Sequence, residues 1–335
     1  MIRFLAFLLL AFVAIPAAAE TAVERHGQLR VEGNRIVDRN GEPVALRGMS
    51  LFWSQWEPQF YNEDAIRWLR DDWNVNVVRA AIAVHQGGYM QNPEVETKKA
   101  EAAIDAAVKL GLYVIVDWHA HQPEPEAAGR FFSHIAKKYG HIPNLIYETY
   151  NEPLRDHDWA KVVKPYHMAV IPKIRAHDPD NIVVAGTQTW SQDVDKAADD
   201  PLPFTNLAYT LHFYAGTHKQ PLRDKAAYAL KKGIALMVTE WGSTNADGDG
   251  PVFAEETQRW FDFMEANQLS YLNWSVATRR EGSAALFPGA SPKGRWPESA
   301  ITPSGKFIRA QLRKMNPRYD TRAPAAADPC GAGTC

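Results

Sequence analysis

Cysteine is scarce in this sequence of 335 residues: there are two, Cys330 and Cys335, both in the C-terminal stretch DPCGAGTC. The body of the chain therefore has no disulfide and must hold itself together by packing. A small disulfide loop between the two is the simplest expectation outside the cytoplasm. Their spacing is not the C-x-x-C of a redox motif, and a metal pair would lack further ligands nearby. A surplus of one charge is also missing. Lys and Arg number 37 against 39 Asp and Glu, a net charge of −2 with no sustained run of either sign. That removes the electrostatic case for nucleic acid or an anionic membrane surface. Beyond the first residues there is no apolar run long enough to span a bilayer, which takes roughly 20 residues. Internal repeats are absent. So is a glycine in the first strand-to-helix turn, SLFWSQW, where a dinucleotide-binding sheet carries its fingerprint. GTQTWSQ holds a serine but no G-x-S-x-G elbow, which leaves serine hydrolysis without support.

What is present is apolar and aromatic. Hydrophobic residues make up 46% of the chain, with 11 Trp, enough for a large core. MIRFLAFLLLAFVAIPAAAE has one Arg, an apolar run and an Ala-x-Ala site, the pattern of a secretory signal peptide cut before Glu20. The mature protein is expected to be exported, extracellular or periplasmic, and free of the membrane after cleavage. Residues 28–46 alternate apolar and polar around Asn40-Gly41, which predicts a small hairpin acting as an N-terminal lid on the main fold. Eight strand candidates then recur: ALRGMSL, VNVVRAAI, YVIVDWH, LIYETYNE, NIVVAGTQ, NLAYTLHFY, ALMVTEW and YLNWSVA. Helical patterns lie between them, three ending on Gly111, Gly140 and Gly233. In VFAEETQRWFDFMEANQ, Phe253, Trp260, Phe261 and Met264 are the core candidates, and SGKFIRAQLRKMN is the closing helix. A unit of about 30 residues repeated eight times predicts an α/β fold, a (β/α)8 TIM barrel with a small N-terminal β-hairpin. The expected division is 1–19 signal peptide, 20–316 catalytic barrel, and 317–335 an Ala/Pro-rich tail without fixed structure.

In such a barrel the chemistry lies at the C-terminal strand ends. The polar residues there are Arg79 on the second strand, Asp117 and His119 on the third, Asn151 and Glu152 on the fourth, His212 and Tyr214 on the sixth, Glu240 on the seventh and Trp274 on the eighth. The fourth and seventh strands stand nearly opposite each other in the ring, so Glu152 and Glu240 can face across its mouth. Each follows an apolar run, where an ionised group is costly unless it has partners or a task. The alternative is a pair of structural salt bridges. Two carboxylates across a cleft are what glycoside hydrolysis uses, roughly 5–5.5 Å apart when one is a nucleophile.

The segments YETYNEP and MVTEWG resemble the two signature segments of family 5 glycoside hydrolases, and GTQTWSQDVD, YTLHFYAGTHKQPLRDK and EGSAALFPGAS are similar to its bacterial endoglucanase branch. The likeness runs from LRGMSLFWSQW to PSGKF, nearly the whole mature chain. It implies a secreted endo-β-1,4-glucanase, a cellulase, that cuts internal bonds by a retaining double displacement without cofactor or metal. Glu240 would be the nucleophile and Glu152 the acid/base. Asn151 would bond the sugar 2-hydroxyl, Arg79 would favour the ionised form of Glu240, and Tyr214 would donate to it. His119 and His212 would bind sugar hydroxyls or tune the acid, and Trp274 would form the platform at the cleavage point. The acid needs a raised pKa to hold its proton and the nucleophile needs donors around it. After the eighth strand ATRREGS departs from the branch: Arg279 would take a lysine's place beside Glu281, and the two residue types are not equivalent. The expected partner is a β-1,4-glucan, met by a monomer.

The other aromatic residues divide by position. Trp73 lies in a helical pattern and is expected in the core. Trp53, Trp56, Trp190 and Trp241 lie on loops or strand ends, where flat rings can cover a pyranose face, with Trp190 the strongest candidate. His119-x-His121 plus His212 keeps a zinc hydrolase open as the mechanistic rival, although the carboxylate pattern of a metal site is missing. A non-catalytic glucan-binding protein is the rival of another class. A related barrel β-glycanase for mannan, xyloglucan or mixed-linkage glucan is also open, because specificity lies in loop geometry.

Overall fold

All eight apolar segments form strands, and the strands close on themselves. The computed structural model describes residues 20–318. The expected signal peptide, both cysteines and all but the first two residues of the expected tail lie outside the described residues. A two-stranded antiparallel sheet comes first, β1 (Arg30–Glu32) and β2 (Arg35–Val37). The barrel comprises β3 (Arg47–Leu51), β4 (Val77–Ala83), β5 (Tyr113–His119), β6 (Leu145–Glu148), β7 (Val183–Ala185), β8 (Leu207–Tyr214), β9 (Ala235–Gly242) and β10 (Ser270–Val276). Each pairs in parallel with its neighbours in sequence, and β10 pairs with β3 to shut the ring. Every residue of β4, β5, β8, β9 and β10 is buried. That is why they read as continuous apolar runs, helices covering one face and the barrel core the other.

The helices are α1 (Ala22–His26), α2 (Glu63–Trp73), α3 (Pro93–Leu110), α4 (Pro125–Tyr139), α5 (Lys164–Arg175), α6 (Gln188–Ser191), α7 (Val194–Asp199), α8 (Gln220–Lys231), α9 (Ala254–Ala266) and α10 (Pro303–Met315). Local chemistry sets their ends. The Asn62 side chain accepts from the Ala65 amide at the start of α2, and Gly111 ends α3 in the left-handed region at φ +66. Gly140 also caps its helix but stays right-handed. Gly233 lies two residues past α8. Trp260, Phe261 and Met264 of α9 are buried, whereas Phe253 precedes the helix and is only partly buried. Trp73 is fully buried, as its spacing predicts. None of the described helices is long and apolar enough to cross a membrane.

The hairpin exists, but its turn is not at Asn40-Gly41. Glu32 pairs with Arg35, so the two-residue loop is Gly33-Asn34. Asn40-Gly41 serves a second turn, braced by Asp38 and closed by a single bridge between Val37 and Pro43. Both sites carry turn chemistry, and the alternation of Arg30–Val37 about Gly33 won the register. The hairpin covers the end of the barrel opposite the catalytic mouth. Leu29, Ile36 and Val44 pack with Ile115, Ile146, Val184 and Leu272 at the N-terminal strand ends, and the Tyr113 hydroxyl donates to the Gly27 carbonyl at 2.6 Å.

Candidate active site

At the other mouth, the strand ends deliver a buried ring of charge centred on Arg79. This guanidinium on β4 is fully buried. It bonds Glu148 twice, Nε to Oε2 at 2.7 Å and Nη2 to Oε1 at 3.1 Å. Its Nη1 donates to Glu240 Oε2 at 3.1 Å and its Nη2 to Asn151 Oδ1 at 2.7 Å, and Asp117 Oδ2 lies 2.9 Å from Nη2. Such a planar fork is the side chain suited to several carboxylates at once. It also fixes Asn151, whose oxygen is taken, so the amide N–H group is left for a ligand. Arg79 is thus beside Glu240, as the resemblance implies. Glu148 and Asp117 are the functional-site residues to which the sequence alone assigns no role.

Glu152 and Glu240 face each other across the mouth. One ligand atom from each of Glu152, His212 and Glu240 lies within 4.8 Å of the others. These three could hold a cation only by giving up donors they already have. The Tyr214 hydroxyl donates to Glu240 Oε1 at 2.8 Å, opposite the arginine on Oε2. Burial, then the charge of Glu152, push the Glu240 carboxyl up; His212, Arg79 and Tyr214 oppose them without cancelling the rise.

Glu152 is gripped by two imidazoles. His212 Nδ1 lies 3.0 Å from Oε1 and His121 Nε2 lies 3.0 Å from Oε2. Burial alone would raise this carboxyl, but the two histidine hydrogen bonds outweigh it and hold it at about 2. The expectation of a raised acid is therefore corrected, because two imidazole donors favour the carboxylate. The two imidazoles shift the opposite way. The Thr239 hydroxyl donates to Glu148 at 2.8 Å, so it accepts from His212 Nε2 at 2.9 Å. His212 therefore meets acceptors at both nitrogens. Burial would lower it, yet Glu148, 3.6 Å from Nε2, and Glu152, bonded at Nδ1, raise it to about 9. His121 is raised too: burial would lower it, but the bond and charge of Glu152 together with the charge of Glu240 outweigh burial. His119 behaves otherwise. It bonds Asp117 at 2.6 Å rather than Glu152, and burial and then Arg79 hold it well below the usual imidazole range. The sequence offers His121 only as half of a His-x-His pair for zinc; the structure places it on the Glu152 carboxylate instead.

Aromatic rings line the cleft on both sides. Trp274 lies parallel to the His119 ring at 5.0 Å, and Phe52 packs on it at 5.1 Å. Trp53 and Trp56 flank a pocket of about 260 Å³ with His85, His119 and His121. On the other side, Glu152, Trp190, His212, Tyr214 and His121 line a cleft of about 550 Å³. Trp190 sits in α6 at φ +54, its amide bonded to the Pro153 carbonyl at 2.8 Å and Arg155 over its ring. A bulky residue with positive φ is strained, a condition that clusters at functional sites. Trp241 is corrected: it is fully buried against Phe213 and Phe261 and reaches no cleft. Arg279 and Glu281 form no ion pair among the described residues. Arg279 lies over the Phe52 and Trp56 rings, while Glu281 accepts from Ser283 at 3.1 Å.

Comparison with known proteins agrees with this geometry. Residues 37–279 match the family described as Cellulase (glycosyl hydrolase family 5). An endoglucanase of Clostridium saccharobutylicum is 46% identical over 303 residues, 89% of this chain and 68% of its own. Endoglucanase A of Evansella cellulosilytica is 50% identical over 281 residues, 82% of this chain and 57% of its own. Among solved structures, a protein of Cytophaga hutchinsonii superposes with a TM-score of 0.87 at 52% identity, covering 88% of this chain and 97% of that one. The catalytic domain of a Thermobifida fusca endoglucanase, solved in complex with cellotetraose, superposes at 0.84 with 32% identity, covering 88% and 99%.

Proposed function

This chain belongs to glycosyl hydrolase family 5, and from that membership we propose that it is an endo-β-1,4-glucanase working by retaining double displacement. The observation that carries the mechanism is the approach of Glu152 and Glu240, with carboxyl oxygens within 4.8 Å. That close approach suits a nucleophile and an acid/base, whose carboxyl groups stand roughly 5–5.5 Å apart in retaining enzymes.

In the proposed first step Glu240 attacks the anomeric carbon while Glu152 protonates the departing oxygen. Arg79 and Tyr214 each hold one oxygen of Glu240, which keeps the attacking carboxylate oriented. The Asn151 amide N–H meets the sugar 2-hydroxyl, and the Trp274 ring carries the sugar at the cleavage point. Once Glu240 is esterified its charge is gone, and Glu152 accepts a proton from water to release the product. The rings of Trp53 and Trp56 on one side and Trp190 on the other offer stacking surfaces for a chain running through the cleft. Cellulose over mannan, xyloglucan or mixed-linkage glucan belongs to this proposal.

The test uses Glu152→Gln and Glu240→Gln on carboxymethyl cellulose and on a panel of β-glucans and mannan. Each variant is expected to lose at least about a hundredfold in kcat, in line with general acid or nucleophile removal, while melting as a folded protein. Full activity in either variant overturns the roles. Loss of wild-type activity on chelation, restored by zinc, favours the metal rival.

A further inference from the structure

Each oxygen of Glu152 already bonds an imidazole, so the leaving oxygen must approach beside one of these rings or take its place. Oε1 is held by His212, whose ring is 2% exposed and pinned at its other nitrogen by Thr239. Oε2 is held by His121, whose side chain is 38% exposed. His121 lies two residues past β5, in the loop that leads to α4. It lines both the Trp53–Trp56 pocket and the Trp190 cleft, so its ring stands where the two halves of the groove meet. A glucan that crosses from one half to the other must pass it. The leaving oxygen must also reach an oxygen of Glu152 within hydrogen-bond range. Of the two, only the oxygen under His121 can be uncovered by moving an exposed loop residue.

We propose that His121 is a positioning residue for the acid/base: it holds the Glu152 oxygen that meets the glycosidic bond, loads that oxygen with its proton, and swings aside as the sugar enters. This rests on the assignment of Glu152 as the acid/base. The transfer balances. The proton on His121 Nε2 passes to Glu152 Oε2, and from there to the glycosidic oxygen as the bond to the anomeric carbon breaks and its electron pair stays on that oxygen. Glu240 closes the new bond, and His121 is left neutral. In the second half a water molecule gives its proton to Oε2 and its oxygen to the anomeric carbon as the bond to Glu240 breaks and its electron pair returns to that carboxylate, and the proton goes back to His121.

The surroundings favour a proton on this ring. Glu152 from the end of β6 and Glu240 from β9 attract it, and His212 from β8 opposes it. On the Trp53 side the neighbours are His119, held neutral, and His85, which bonds Glu124 of the same loop at 3.1 Å. On the Trp190 side they are His218, which burial lowers to about 4, with Arg155 and Asp247. The pair of His121 and Glu152 thus keeps one proton to a higher pH than a carboxyl alone. Without the imidazole, the carboxyl faces His212 with no second store.

The experiment compares wild type, His121→Ala and His121→Gln on cellohexaose and on 2,4-dinitrophenyl cellobioside, whose leaving group needs little protonation. Glu152→Gln runs alongside. For His121→Ala, kcat on cellohexaose is expected to fall about tenfold to a hundredfold. The loss on the dinitrophenyl substrate should be at least about tenfold smaller, and the alkaline limb of the pH profile should move down by about one unit. Gln, which keeps an N–H but has no proton to give, should recover part of kcat and leave the limb shifted. Equal losses on the two substrates, or an unmoved limb, overturn the role of His121. If Glu152→Gln keeps full activity on cellohexaose, the acid/base assignment falls first and takes this proposal with it.

Discussion

Arg79 shows how much of the site rests on one side chain. Four carboxyl or amide groups from three other strands and their ends, Asp117, Glu148, Asn151 and Glu240, lie within 3.1 Å of its nitrogens. Lysine carries the same charge on a single point and cannot bond them together. Arg79→Lys is therefore expected to lower kcat on carboxymethyl cellulose by more than about a hundredfold, since both Glu240 and Asn151 lose their orienting donor. Leaving buried acceptors of the cluster without their donor also costs about 1–3 kcal/mol each. Urea unfolding followed beside turnover checks both, and a variant with wild-type stability and rate would deny Arg79 its central place. At this scale the sequence was partly legible. Glu152 and Glu240 stand out because a carboxylate ends an apolar run. Glu148 does not, because in IYETY it reads as one polar residue in a strand, and its meaning comes from an arginine 69 residues away. The pKa of Glu152 was not legible at all, since it is set by rings from β8 and from the loop after β5.

LIYETYNE and NIVVAGTQ run past their strands, which end at Glu148 and Ala185, but the eight strands were legible as elements, because parallel strands buried on both faces have to be apolar throughout. How one element aligns another was not. Gly186 comes directly after β7, at the point where the chain passes Tyr150, just before Asn151 and Glu152. A Cβ built there would collide with the Tyr150 carbonyl oxygen, a backbone atom that cannot rotate away. The same corner binds the catalytic segment from beneath: the Ser191 hydroxyl donates to the Asn151 carbonyl at 2.7 Å, and His167 Nε2 bonds the Gly186 carbonyl at 2.9 Å. Gly186→Ala is therefore expected to push the end of β6 outward and carry Glu152 with it. A displacement near 1 Å costs about a hundredfold in rate. The loss should appear in kcat on cellohexaose and be far smaller with 2,4-dinitrophenyl cellobioside, because Glu240 sits on β9, away from the collision. Unchanged kcat would mean that the corner relaxes without moving the acid. Sequence alone offers a glycine in VVAGTQ and no hint of the carbonyl it must clear.

On the scale of the molecule, the barrel gathers its ionisable groups at one mouth and closes the other with the hairpin, so function and stability draw on the same charges. Glu152 is held down at about 2 against an ordinary 4.5, so its contribution to stability is present above pH 4.5 and is lost as pH falls toward 2. His212 is raised to about 9 from 6.5, so its contribution is complete below pH 6.5 and is lost as pH rises through 9. The melting temperature should accordingly decline between pH 6.5 and 9, in the window where an exposed, unpaired histidine would already have finished titrating. Glu152→Gln separates this from any general alkaline weakness. It removes one of the two carboxylates beside His212, lowers the pKa of that imidazole, and leaves less stability to lose. Melting curves at half-unit steps from pH 6 to 9.5 should therefore give a shallower slope for Glu152→Gln than for wild type. Parallel slopes would show that the proton on His212 does not depend on Glu152, and that the acid and the fold titrate independently.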